Sequence, residues 1–107
     1  MITLCIRYTF DASKVQDYRK YAEVEQPVIE RCGGTIVGYF GPTEFAGATN
    51  EALGLIELPS VAAYARYRDM LDNYPEHKAN VERLTRSGAQ VSIHRSLVER
   101  IAPAHSA

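Results

Sequence analysis

Tryptophan is absent from this 107-residue chain, and cysteine occurs only twice, as Cys5 and Cys32. Two thiols so far apart form neither a redox motif nor a disulfide framework. They are expected to stay reduced and to behave as small apolar groups. Charge of one sign is also lacking: 12 Lys and Arg against 13 Asp and Glu leave a net charge of −1. The basic residues are scattered, with no stripe that would track a phosphate backbone, so nucleic acid is excluded as an expected partner. No apolar run is long enough to span a bilayer. The N-terminal "MITLCIRYTF" alternates and carries Arg7 instead of building a signal-peptide core. The expectation is a cytoplasmic protein with no membrane partner.

Catalytic signatures are equally sparse. No phosphate-binding glycine loop and no nucleophile elbow is present. His77, His94 and His105 do not fall at ligand spacing, so no metal and no cofactor is expected. His77 is expected on a surface helix and His105 in the tail.

What is present is periodicity. "ITLCIRYTF" puts Ile2, Leu4, Ile6, Tyr8 and Phe10 on one face and Thr3, Cys5, Arg7 and Thr9 on the other, the period of a strand. Asp11 or Ser13 then offers an N-cap, and a helix is expected to run to about Cys32, where Gly33 and Gly34 end it. Tyr18, Tyr21, Ala22, Ile29 and Cys32 share its inner stripe. Glu25 lies near the centre of that stripe, with Pro27 two positions later. Proline inside a helix removes a donor and favours a kink. Two readings of Glu25 stay open: an exposed glutamate turned outward beyond the kink, or a carboxylate aimed into a cavity.

"TIVGYF" and "EALGLIEL" read as the second and third strands, joined by "GPTEFAGATN". Ser60 caps a second helix with an inner stripe of Val61, Tyr64, Ala65 and Leu71, and Arg68 within it lays its stem on apolar surface. Pro75 and Gly88 bracket a short third helix, on which Glu82 and Arg86 are spaced as an i,i+4 pair. "QVSIHRSLVERI" alternates as a fourth strand. The order is the split βαβ pattern of a ferredoxin-like α+β fold, βαββαβ with a four-stranded antiparallel sheet. One domain is expected over residues 1–102, with a disordered tail over 103–107. Both crossovers must cover the same sheet face. The bare face is of mixed character, and a homodimer is expected to close it through isologous contacts.

At this point the chain resembles the NIPSNAP family of dimeric α/β-barrel proteins. The residues that carry the resemblance are "PVIERCGGTIVGYF", the E-x-x-G-x-x-N of Glu44, Gly47 and Asn50, and "IELPSVAAYARYRDMLDNYPE". Many family members carry a tryptophan after the turn that ends the last motif; here "NYPEHKAN" has His77. The resemblance implies a ferredoxin-like protomer paired into a dimeric barrel, with no settled activity. It also makes the loop between strands two and three a family feature. Glu44 and Asn50 are expected to latch that loop, Asn50 through its amide.

The fold brings further candidates together. Tyr8 and Tyr39 lie on strands, and Tyr21 and Tyr64 on helices facing the sheet. Adjacent strand residues point to opposite faces, so His94 and Arg95 cannot both enter one pocket. If Val91 and Ile93 face the helices, Arg95 goes with them and His94 faces the dimer interior; the opposite register swaps them. The tyrosines are either core residues with locally bonded hydroxyls or the walls of a pocket, with Arg95 beside them and His94 or Glu25 as proton acceptor. Two functions follow: a dimeric module that binds a small organic ligand or a protein partner, or a cofactor-independent, monooxygenase-like or isomerase-like enzyme acting on a small organic substrate.

Overall fold

A computed structural model describes residues 1–105. Its elements are β1 (Ile2–Thr9), a 3-10 turn (Ala12–Lys14), α1 (Val15–Arg31), β2 (Thr35–Phe40), β3 (Glu51–Leu58), α2 (Val61–Asp72), α3 (Pro75–Arg86) and β4 (Ser92–Val98). The strands form one antiparallel sheet in the order β2-β3-β1-β4. This is the ferredoxin-like α+β arrangement. The part of the expected tail beyond residue 105 lies outside the described residues.

The local signals act as the sequence requires. Asp11 caps the 3-10 turn through the backbone N–H of Ser13, at 2.9 Å, and α1 continues from it. The helix runs through Pro27 and closes at Gly33, whose φ of 100° only glycine adopts without strain. Ser60 caps α2 by accepting from the Ala63 N–H at 3.1 Å. Pro75 occupies the first turn of α3, where its missing N–H costs nothing, and Gly88 follows the end with φ of 79°.

Helices α1 and α2 cover one face of the sheet, and α3 packs chiefly on α1. The alternation of β1 sends Leu4, Ile6 and Tyr8 into the core, at 0, 4 and 2 % exposure. From α1, Tyr18, Tyr21, Ala22, Ile29 and Cys32 join them, as the stripe predicts. The stripe on α2 differs from expectation. Val61 is 61 % exposed and Ala65 faces solvent, while Tyr67 and Leu71 are buried and Tyr64 is half-buried. The helix is rotated so that Tyr67 faces Gly34, where an added Cβ would sit 3.3 Å from its ring. Arg68 keeps to the surface and bonds Asp72 at 2.8 Å.

One irregularity decides what each face carries. A β-bulge between Ile36 and Gly38 shifts the β2–β3 register. A bulge adds one residue to one strand and re-aims the side chains after it. Ile36 pairs with the buried Ile56, and Tyr39 with Gly54, so both face the helices. Gly38 and Phe40 pair with Leu55 and Leu53 and face the other way. Strict alternation would have put Ile36 and Tyr39 on opposite faces.

Candidate functional site

The expected site residues divide between the two faces of the sheet. On the covered face, Glu25 is 1 % exposed. The outward-turned reading of this residue is excluded, because α1 continues past Pro27 with Glu25 still on the inner stripe. Its carboxylate is held from three sides. His77 Nδ1 lies 2.5 Å from Oε2, the Tyr21 hydroxyl donates to Oε2 at 3.3 Å, and Asn80 Nδ2 donates to Oε1 at 3.1 Å. Asn80 also bonds the Tyr21 carbonyl at 3.0 Å and accepts from Arg83 Nη1 at 2.7 Å. A buried carboxylate with this many donors meets the requirement that buried charge be paired and hydrogen-bonded.

His77 was expected on the surface, and that is corrected: its side chain is 14 % exposed and points inward from α3 onto Glu25. His77, Asn80 and Leu84 fall at i, i+3 and i+7, one helical stripe, which is the signal that would have found the first two. The His77–Glu25 contact helps fasten α3 to α1.

Beside this cluster stand the tyrosines. The Tyr8 and Tyr39 hydroxyls bond each other at 3.0 Å, and the Tyr8 ring touches those of Tyr18, Tyr21 and Tyr39 at centroid distances of 5.1, 6.1 and 6.0 Å. Burial pushes the Tyr8 phenol pKa upward and those of Tyr21 and Tyr39 well above the ordinary range. These phenols are therefore neutral donors and not bases. Tyr18 and Tyr67 are buried with hydroxyls that have no hydrogen-bond partner among the described residues. Tyr64 lies on the flank, its ring 6.4 Å from that of Tyr67.

On the open face the register places residues in rows that run across the strands. Thr3 and Val98, Cys5 and Ser96, Arg7 and His94, and Thr9 and Ser92 are partners between β1 and β4; Glu57, Leu55, Leu53 and Glu51 oppose the same β1 residues on β3. One row therefore reads Phe40, Leu53, Arg7, His94, one residue from each strand. A concavity of about 470 Å³ lies at this end of the sheet, its walls including Arg7, Thr9, Phe40, Glu51, Leu53 and His94. Among the described residues, neither Arg7 nor His94 makes a side-chain hydrogen bond or an ion pair.

His94 thus sits on the open face and Glu25 beneath the helices, and the sheet separates them. Arg95 pairs with Ile6 and lies on the helix side of the edge strand, exposed. The loop from Gly41 to Asn50 is tied mainly by Arg19 Nη2, which donates to the Pro42 carbonyl at 2.9 Å. Glu44 walls a cleft of about 450 Å³ together with Arg19 and Phe45. Asn50 contributes its backbone carbonyl, which accepts from the Phe10 N–H at 3.0 Å. No group of three or more potential metal ligands converges among the described residues, and no helix among them is long and apolar enough to cross a membrane.

The fold and these two polar groupings define a ferredoxin-like α+β domain with an uncovered sheet face. The NIPSNAP family model matches residues 3–103, and the chain belongs to that family. An uncharacterised NIPSNAP domain protein from Burkholderia xenovorans superposes with a TM-score of 0.77 at 17 % identity, covering 99 % of this chain and 100 % of that one. A NIPSNAP family protein from Agrobacterium tumefaciens gives 0.73 at 19 % identity, over 94 % of each chain. A candidate antibiotic biosynthesis monooxygenase from Nitrosomonas europaea gives 0.70 at 5 % identity, over 95 % of this chain and 100 % of that one. At these identities the likeness is one of fold. No curated protein matches this sequence.

Proposed function

We propose that this chain works as a homodimer whose two copies close their open sheet faces on each other and hold a small organic ligand, or a segment of a protein partner, in the chamber between them. The observation that supports this reading is the composition of the open face. Cys5 and Leu55 adjoin in one row, with Leu53 and the half-exposed Phe40 and Val98 nearby, interleaved with Thr3, Ser96 and Arg7. An antiparallel sheet that faces water on one side normally alternates cleanly from apolar inside to polar outside. A mixed face with a concavity at one end suits a second copy that covers the apolar middle and leaves a cavity. Placing an arginine at Leu55 tests it. Sedimentation equilibrium should find the wild type as a dimer and Leu55→Arg as a folded monomer. A wild-type monomer at every concentration, or an undisturbed Leu55→Arg dimer, ends the reading.

A second reading, a cofactor-independent enzyme acting on a small organic substrate, draws on the Glu25–His77 contact. A carboxylate bonded to one imidazole nitrogen orients the ring and leaves the other nitrogen free for proton transfer. That reading stands behind the first, because the clefts on the open face and beside the Gly41–Asn50 loop take no wall from Glu25 or His77. It predicts turnover that His77→Gln abolishes while the dimer persists.

A further inference from the structure

We propose that the row Phe40, Leu53, Arg7, His94 is a binding site for a small planar organic monoanion of the aryl carboxylate class. The proposal deepens the reading of the open face as a ligand chamber and rests on it. Arg7 and His94 take the carboxylate, and Phe40 and Leu53 carry the ring.

The order of the row supplies the first argument. Neighbouring strands are ~4.8 Å apart, so the row changes from apolar to cationic within one strand spacing, between Leu53 and Arg7. A ring resting on Leu53 with an edge towards Phe40 puts an attached carboxylate over β1, where the Arg7 side chain starts. His94, directly across the ladder from Arg7, adds an imidazole within reach of the same oxygens, since paired side chains on one face begin ~5 Å apart.

Phe40 is already in place for this contact. Its ring folds back over Gly38, so that a Cβ at Gly38 would lie 2.6 Å from the ring tip. The ring is also 51 % exposed. It offers an aromatic surface whose position the missing side chain fixes, and aromatic pairs favour offset or edge contacts of this kind.

Arg7 supplies the charge. It has no carboxylate within ion-pair distance among the described residues, and a guanidinium presents a planar fork that matches a carboxylate in two bonds. Closure by a second copy would take this cation out of water. An unpaired charge in such a place is costly, and a ligand anion paired with it offsets part of that cost. Glu51, opposite Thr9 and itself a wall of the same concavity, opposes any negative charge away from the Arg7 guanidinium and so disfavours a second anionic group. The volume, about 470 Å³, lies within the ~300–1,000 Å³ of small-molecule sites.

Isothermal titration of the intact protein with benzoate, benzyl alcohol and phthalate tests the assignment, with sedimentation run in parallel. Benzoate should bind about tenfold or more tightly than benzyl alcohol, and phthalate more weakly than benzoate. Arg7→Met should remove the preference for benzoate over benzyl alcohol, and Phe40→Ala should weaken both, each without changing the fold or the dimer. Equal binding of benzoate and benzyl alcohol, or binding of none of the three, overturns the anion site while an intact dimer leaves the chamber reading standing. Dissociation of the dimer by Arg7→Met, with no benzoate bound by the wild type, shows that a carboxylate of the second copy already occupies the guanidinium, and also overturns it. A wild-type monomer that still binds benzoate through Arg7 removes the dimer reading alone.

Discussion

The two faces of this sheet repeat one device under opposite conditions. On the covered face the Tyr39 ring lies against Gly54, where an added Cβ would be 2.7 Å from it; on the open face the Phe40 ring lies against Gly38 in the same way, at 2.6 Å. Both rings stand on β2, next to each other; alternation sends them to opposite sides, and the bulge at Ile36–Gly38 sets which side each takes. Beneath the helices, the polar groups near Tyr39 find one another: Tyr8 bonds Tyr39, and Glu25 gathers His77, Asn80 and Tyr21. Across the sheet, Arg7 and His94 share a row with Phe40 and have no such partners among the described residues. Burial favours such a network because an unmade hydrogen bond there is expensive, although the Tyr18 and Tyr67 hydroxyls stay outside it. Exposure leaves them free, because water supplies the missing bonds.

The largest test of this contrast is alkaline pH. Burial raises the pKa of Tyr8, Tyr18, Tyr21, Tyr39 and Tyr67. A group whose pKa is higher folded than unfolded contributes its stability below the unfolded value and loses it as pH climbs above. The unfolded phenol titrates near pH 10, so the loss begins there. Each such tyrosine removes about 1.4 kcal/mol per pH unit, and several together make the decline steep. Absorbance of ionised tyrosine should therefore rise in one step with the loss of near-ultraviolet circular dichroism above pH 10. Smooth titration of these five phenols in a protein that stays folded would show that the covered face is wet.

Next in size is the centre of the buried network. Glu25→Ala leaves the donors of His77, Asn80 and Tyr21 without their acceptor, and should cost about 3 kcal/mol in urea unfolding. Arg7→Ala, on the open face, should stay within about 0.5 kcal/mol in dilute protein. Comparable losses from the two would abolish the distinction between the faces.

How much of this was legible in the sequence follows from the kind of signal each feature leaves. Alternation in β1 and the stripe on α1 placed Leu4, Ile6, Tyr8, Tyr18, Tyr21 and Ile29 in the core, because both depend only on local period. Caps at Asp11 and Ser60 and the glycine stop at Gly33 were legible for the same reason. The rotation of α2 was not, since Tyr67 packs towards Gly34, Ile29 and Ile56, which belong to other elements. The row of Phe40, Leu53, Arg7 and His94 was beyond reach for a similar cause: it depends on three strand registers and one bulge, none of which a single chain segment records. Glu25 was marked as an anomaly on an apolar stripe, but its partner histidine comes 52 residues later, and only the docking of α3 onto α1 unites them.

A smaller pair of substitutions reaches the comparison through the glycines. Gly54→Ala drives a methyl group into the Tyr39 ring, which the helices above cannot release, and overpacking of that kind costs about 2 kcal/mol. Gly38→Ala meets only the Phe40 ring, whose far side is open, so the ring swings away and the cost should remain below about 0.5 kcal/mol in dilute protein. The two variants add the same atom to the same pair of strands, and thermal denaturation at low concentration separates them by what covers each face. Repeating the measurement at high concentration adds the second copy. If the open faces close on each other, the displaced Phe40 ring then has nowhere to go, and Gly38→Ala should lower the dimer's melting temperature relative to the wild type by more than it does in dilute protein. A Gly38→Ala penalty that does not change with concentration would mean that the ring keeps its freedom in the assembled protein, and that this end of the open face stays uncovered.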